Sequence, residues 1–375
     1  MVDLARKILL HDRTRFLITV SGVAFAVTLV FVQVGLFQGL LSNASVTIEQ
    51  SDADLWVTAR NTPNVDFSNT FPETYVQRVR SIPGVARADN LLVWFARVAL
   101  PTGATENAVI YALEDFTRWR LPWRIESGDP RDLRRGKYVI LDDSARKRFG
   151  TFAVGDYREF FGQRLKIIGR TAEARSFTTN PIAFVDYRVA QSMSRQELHN
   201  RTTYILVKLA PGADAEAIRA EIRRRLPYND VRTRAEWAAR SRSYWTDSTG
   251  LGLNMVMTVF LGCLVGVVVV AQTLYTSTME HLKEFATVKA IGGRNADIYA
   301  IIGKQAALAA TLGFLLGAAM AYAIRPAMAA IDLKLILTPT FAASVFVGTL
   351  ILCLGASAIS FRKVATLDPA LVFRG

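Results

Sequence analysis

The sequence predicts an α-helical membrane protein with four transmembrane helices and a large mixed α+β extracytoplasmic domain inserted between the first and second. Three observations carry that prediction. There are four apolar runs of membrane length, they are spaced as one near the start and three in the last third, and residues 42–250 between them are polar. A soluble core would spread its apolar residues along the chain, whereas this spacing strands a folded domain between membrane anchors.

A helix crosses the hydrocarbon core with roughly 20 predominantly apolar residues at about 1.5 Å rise each, because no backbone polar group can be left unpaired in lipid. Segments 17–41, 251–276, 299–324 and 341–361 meet this requirement, and Lys304 is the only charge among them. Gly262 and Gly266 in the second run, and Gly313 and Gly317 in the third, recur at four-residue spacing. Small residues so placed allow close helix approach, within one bundle or between copies. An N-terminal segment 1–16, a cytoplasmic segment 277–298, a short loop 325–340 and a tail 362–375 complete the layout.

Orientation follows from Lys and Arg in the short flanking segments. Arg6, Lys7, Arg13 and Arg15 precede the first run, Lys283, Lys289 and Arg294 follow the second, and Arg362, Lys363 and Arg374 follow the fourth, against only Arg325 and Lys334 in the remaining short loop. Both termini are expected in the cytoplasm and the large domain outside it. The first run is too long for the apolar core of a cleavable signal, about 7 to 15 residues, and reads as a retained anchor. Cys263 and Cys353 both fall inside runs, leaving no disulfide pair and no metal-ligand cluster for the external domain.

The net charge of +13 does not indicate nucleic acid. Residues 42–250 hold 32 Lys and Arg against 25 Asp and Glu, a difference of +7, with the signs interspersed. The densest basic spot, Arg223-Arg224-Arg225, reads as a helix end, where cations suit the dipole; attraction to membrane lipid headgroups is the alternative.

Within the external domain, 54–58 reads as a strand and 72–82 as a helix stopped by Pro83-Gly84. Strands are expected at 91–100, 108–113, 138–141, 164–169 and 182–185. A β-α-β unit then follows, with a strand at 203–208, a helix at 213–226 and a strand at 230–232. The two ends of the stretch are expected to form a membrane-proximal subdomain, 42–90 with 191–250, and the middle a β-rich distal lobe, 91–190. No catalytic constellation stands out. His199 reads as a surface residue, and Asp142-Asp143 and Glu114-Asp115 as turn and capping residues.

The cytoplasmic segment carries the sharpest pattern. At 100° per residue, Leu282, Phe285, Ala286 and Val288 share one side of a helix while Glu280, Lys283, Glu284 and Thr287 share the other, and Gly292-Gly293 ends it. Such a helix either lies on headgroups or docks into a partner's groove. No phosphate loop accompanies it, since Gly136-Lys137-Tyr138 lacks the Ser or Thr and the spacing.

This segment resembles the cytoplasmic signature of type VII ABC transporter permeases, the MacB, FtsX and LolC/LolE superfamily, in which a Glu-Arg-x-x-Glu-Ile-x-x-x-Lys-Ala-Ile-Gly-Ala run follows the second span. Glu280, Glu284, Lys289, Ala290, Ile291 and Gly292 match it, with Phe285 in place of isoleucine and Gly293 in place of alanine. The resemblance extends over the whole chain to the closing Ala365-Thr366-Leu367-Asp368-Pro369-Ala370-Leu371. Gly22 to Val27, Gln50 to Trp56 and Ile82-Pro83-Gly84-Val85 are most similar to DevC-type permeases.

The resemblance implies a non-catalytic permease subunit of the bacterial inner membrane, working as a homodimer or as half of a pseudo-dimer. A separate cytoplasmic ABC ATPase dimer, holding ATP and Mg, would grip Glu280, Leu282, Glu284, Phe285, Val288, Lys289, Ile291, Gly292, Gly293 and Arg294. It further implies mechanotransmission to the periplasmic domain, and export of a lipid, glycolipid or other amphiphile with a periplasmic adaptor (membrane fusion protein) and an outer-membrane channel. An FtsX-like transmembrane signalling scaffold that activates a cell-wall hydrolase is the alternative.

Overall fold

The computed structural model describes residues 13–290, 292–331 and 333–365. Most of the N-terminal segment, Ile291 and the tail beyond 365 lie outside the described residues. The chain divides into two compact units, residues 1–39 with 253–375, and residues 40–252.

Helix α1 (Arg13–Gln50) opens the chain. Its apolar stretch supplies the first candidate membrane span, with a mean hydropathy of 2.2. The last turns of α1 belong to the external unit and bury Ala44 and Ile48 there. The external unit continues with β1 (Leu55–Ala59), β2 (Phe71–Pro72), α2 (Tyr75–Arg80), β3 (Val85–Ala99), β4 (Thr105–Leu113), β5 (Ile125–Ser127) and β6 (Tyr138–Asp142). Then come β7 (Tyr157–Phe160), β8 (Gln163–Thr171), β9 (Ile182–Asp186), β10 (Arg201–Thr202), β11 (Tyr204–Leu209), α3 (Ala215–Arg225), β12 (Asn229–Thr233) and α4 (Arg234–Ser243).

Ten strands form one sheet in the order β12-β1-β11-β3-β4-β9-β6-β8-β5, with β7 bridging β3 and β8. β1 is antiparallel to both β11 and β12, and β11 is antiparallel to β3. Each helix crossover, β1-α2-β3 and β11-α3-β12, therefore joins parallel strands with one strand between them. This is the split β-α-β arrangement of ferredoxin-like domains, with residues 100–203 inserted.

The boundary expected near residue 90 falls inside β3. Its first half, from Val85 to Leu91, pairs with β11, and its second half, from Leu91 to Ala99, pairs with β4. Three core clusters lie against this sheet, beside a smaller one of Ala44, Phe177 and Trp245. Leu55, Val57, Val79, Ile205, Ile222 and Val231 pack α2 and α3 onto the ferredoxin-like half. Val98, Ile110, Val139, Phe149, Ile167 and Val185 fill one side of the insertion. The third runs across both, from Trp56, Tyr204 and Trp237 to Tyr111, Trp119 and Phe184.

The capping readings hold in the geometry. Asp115 Oδ1 accepts from the Thr117 N–H at 3.1 Å, and Asp142 from the N–H groups of Ser144 (3.0 Å) and Ala174 (2.7 Å). At the end of α3, Arg224 and Arg225 pair with Glu221 at 2.6 Å, while Arg223 donates to the Val231 carbonyl.

Four helices complete the second unit: α5 (Leu251–Glu280), α6 (Leu282–Ala290), α7 (Asn295–Ala330) and α8 (Pro339–Ala365). α1, α5, α7 and α8 each hold a stretch long and apolar enough to cross a membrane, as the four runs predict. Their small residues are contact points within this bundle. A Cβ on Gly313 or Gly317 of α7 would come within 2.6 Å of α1 atoms, and one on Gly22 of α1 within 2.5 Å of Val269 of α5. Thr28 Oγ1 of α1 donates to the Gly317 carbonyl at 3.2 Å. Cys263 and Cys353 line one apolar cavity of about 170 Å³ among α1, α5 and α8.

Candidate functional site

The site candidate is the segment from Glu280 to Arg294. Helical bonding runs through it almost unbroken: His281 N–H donates to the Ser277 carbonyl and Phe285 N–H to the His281 carbonyl, both at 3.1 Å. α6 stops where glycine permits. Gly292 has φ +97°, a region unfavourable for side chains, and two bonds close the helix end, Gly293 N–H to Val288 O (2.9 Å) and Gly292 N–H to Lys289 O (3.0 Å). The six-to-one bond with glycine in the left-handed position is a Schellman stop. The chain turns at once into α7, whose first turn is capped by Asp297, accepting from the Arg294 N–H at 2.8 Å.

The two faces expected of α6 separate cleanly where side chains are described. Phe285 and Ala286 are buried, with Phe285 against Ile298 and Ile302 of α7 and half-buried Val288 beside them. Glu280, Glu284, Thr287, Gly292 and Arg294 are exposed. Glu284 Oε1 lies 2.9 Å from His281 Nδ1. Gly293 and Lys289 are half-buried, the side chain of Leu282 is not among those described, and Ile291 lies outside the described residues.

Phe285 needs correction as a direct partner contact, while Glu280 stays exposed and is paired within the chain. Phe285 is only 1% exposed, so it anchors α6 to α7 and offers no surface to another chain. Glu280 is held by the Arg15 guanidinium from the start of α1, both carboxylate oxygens engaged, the second at 2.5 Å. A bidentate charged pair of this kind fixes geometry as well as charge. In the sequence Arg15 is one flanking cation among several. The pair joins residues 265 positions apart, and no local pattern announces it.

The structure therefore sorts the segment into a carboxylate tied to α1, an apolar anchor tied to α7, and an exposed rim of Glu284, Gly292 and Arg294. Force applied to that rim would be shared by three membrane helices of one unit.

Comparison with known proteins bears on this arrangement. The family model described as MacB-like periplasmic core domain matches residues 16–225, and that of the FtsX-like permease C-terminal matches residues 256–369. An uncharacterized ABC transporter permease of Mycobacterium tuberculosis is 24% identical over 367 residues, covering 97% of this chain and 96% of its own length. One of Mycobacterium bovis is 24% identical over 360 residues, covering 95% and 93%. Among solved structures, the periplasmic region of MacB from Actinobacillus actinomycetemcomitans aligns with a TM-score of 0.40 at 11% identity, covering 49% of this chain and 90% of that one. The extracellular domain of the noncanonic ABC-type transporter YknZ from Gram-positive bacteria aligns at 0.36 and 14%, covering 48% and 98%. The MacB-like match alone takes in more than half of the sequence and the FtsX-like match takes in α5 through α8, so this multi-pass membrane protein belongs to the MacB/FtsX-type, type VII, ABC transporter permeases.

Proposed function

We propose that this permease receives the stroke of a separate ABC ATPase dimer on the exposed rim of 280–294 and passes it to the external domain, so that hydrolysis drives mechanotransmission. ATP and Mg reside on the partner chain in this reading, both permease termini are cytoplasmic, and two permease copies act together. The cargo is a lipid, glycolipid or other amphiphile, moved onward through an adaptor and an outer-membrane channel.

The observation that carries the reading is the three-way attachment of the segment. Glu280 is tied to α1, Phe285 is seated on α7, and the helical ladder runs back into α5. A lipid-surface helix would need its apolar face free for the bilayer, whereas here Phe285 is spent on α7 and Ala286 is buried within the chain.

The test pairs Glu284→Lys, which reverses charge on the exposed rim, with Gly292→Leu, which places a branched side chain at φ +97°. Both should abolish ATPase association and substrate-dependent export while membrane insertion stays intact. Wild-type ATPase association and export in both variants would remove the assigned contact.

A further inference from the structure

The external unit contains a cleft of about 650 Å³ that the coupling mechanism does not use. Its walls carry Phe67, Trp94, Phe95 and Phe161. Phe67 is exposed, with its ring 5.8 Å from that of Phe95. Asp66 also lines the cleft, although it is only 3% exposed.

The loop bearing Asp66 is held from several sides. Asn64 Oδ1 accepts from the N–H groups of Asp66 (2.9 Å) and Phe67 (2.8 Å). Tyr204 donates its hydroxyl to the Val65 carbonyl at 2.9 Å, and Ser68 to the Val93 carbonyl at 2.7 Å. Despite this, the carboxyl itself is poorly served. Oδ2 accepts one long bond, from Phe177 N–H at 3.4 Å, and buried Oδ1 has no partner.

Burying a carboxylate without a partner is costly, and native structures rarely leave one so. A cation removes the cost, and the surrounding ring faces attract the same cation through their quadrupoles. A neutral hydroxyl would satisfy the oxygen but gain nothing from the rings. An anion would meet buried Asp66; Glu197 and Arg97, the one cation among the described lining residues, are both exposed and screened by water.

We infer that this cleft binds an organic ammonium ion carried on an apolar body, its charge against Asp66 and its apolar part along the aromatic walls. Burial raises the Asp66 pKa to about 7, so an incoming cation would also complete its ionisation. This site stands independently of the ATPase reading, because binding requires neither partner nor nucleotide.

The experiment uses the full chain in phosphatidylcholine nanodiscs at pH 8, with empty nanodiscs subtracted, titrated with 4-phenylbutylamine, 4-phenylbutanol and 4-phenylbutyrate. The amine should bind at least about tenfold more tightly than the alcohol, and Asp66→Asn should bring the two within about twofold. Equal binding of amine and alcohol by the native chain, a preference for the butyrate, or amine selectivity that survives in Asp66→Asn would each overturn the proposal. If Asp66→Asn does not accumulate, Trp94→Leu replaces it. A fall in amine affinity of about fivefold or more supports the site, and unchanged affinity overturns it.

Discussion

At the scale of single residues, two carboxylates show what the fold does to charge. Asp66 is buried with its pKa raised to about 7, above the value near 3.9 expected when unfolded. Its proton is therefore bound more tightly in the folded state. The stability this represents is fully present below pH 4 and is lost as pH rises through 7. The phenols facing it, Tyr111 and Tyr204, are pushed further up by burial and stay neutral throughout. Asp66→Asn should thus be more stable than the native chain at pH 8, by an amount on the order of 4 kcal/mol for a shift of about three units, and no more stable at pH 4. Tryptophan fluorescence during denaturant unfolding reads this directly, because all six tryptophans lie in the external unit.

Glu280 presents the opposite case, a carboxylate satisfied by Arg15. Arg15→Glu and Glu280→Arg should each impair ATPase-coupled export, and the double exchange should recover most of it. If the exchange stays as inactive as its parents, Glu280 acts on the ATPase directly.

At the scale of elements, close packing decides. A Cβ on Gly317 would lie 2.6 Å from the Ala24 carbonyl oxygen and 2.8 Å from Val27 Cβ. Gly317→Leu should therefore separate α7 from α1, at a cost of about 1–3 kcal/mol or more, measured as a lower unfolding midpoint in detergent. The spans that hold this contact were legible because the lipid demand for unbroken apolar helix is absolute. The strands of the external domain were legible where Val, Ile and Leu alternate or cluster.

The first half of β3 was hidden. The expected strand begins only at residue 91, because Arg87 and Asp89 interrupt the apolar pattern before it, and only the folded state shows why they are tolerated there. Asp89 accepts from Arg80 Nη2 at 2.6 Å and Trp119 Nε1 at 2.9 Å, while Arg87 reaches Asp52 at 2.7 Å. α4 was hidden for a similar reason, being mostly polar with Trp237 its main core contribution. In the segment 280–294 the helix, its faces and its glycine stop were all legible from period and composition. Which side chains are spent internally was not, because Ile298 and Arg15 approach from outside the pattern.

At the scale of the molecule, β3 matters most. It contributes the edge pairing of the ferredoxin-like half and the first pairing of the insertion within fifteen unbroken residues. Backbone amide exchange should accordingly be slow at the ladder-bonded amides on both sides of residues 90 and 91, those facing β11 before and those facing β4 after, and fast exchange of both sets next to that point would contradict the shared sheet.

Fifteen residues at about 3.3 Å each give a strand of about 50 Å, long enough to act as a beam. Its one irregularity against β11 lies at the very start, where the register shifts between Arg87 and Val85, and the pairing from Arg87 onward passes residues 90 and 91 without a break. If the proposed stroke reaches the external unit, this strand is the one element that runs from the ferredoxin-like half into the insertion to carry it.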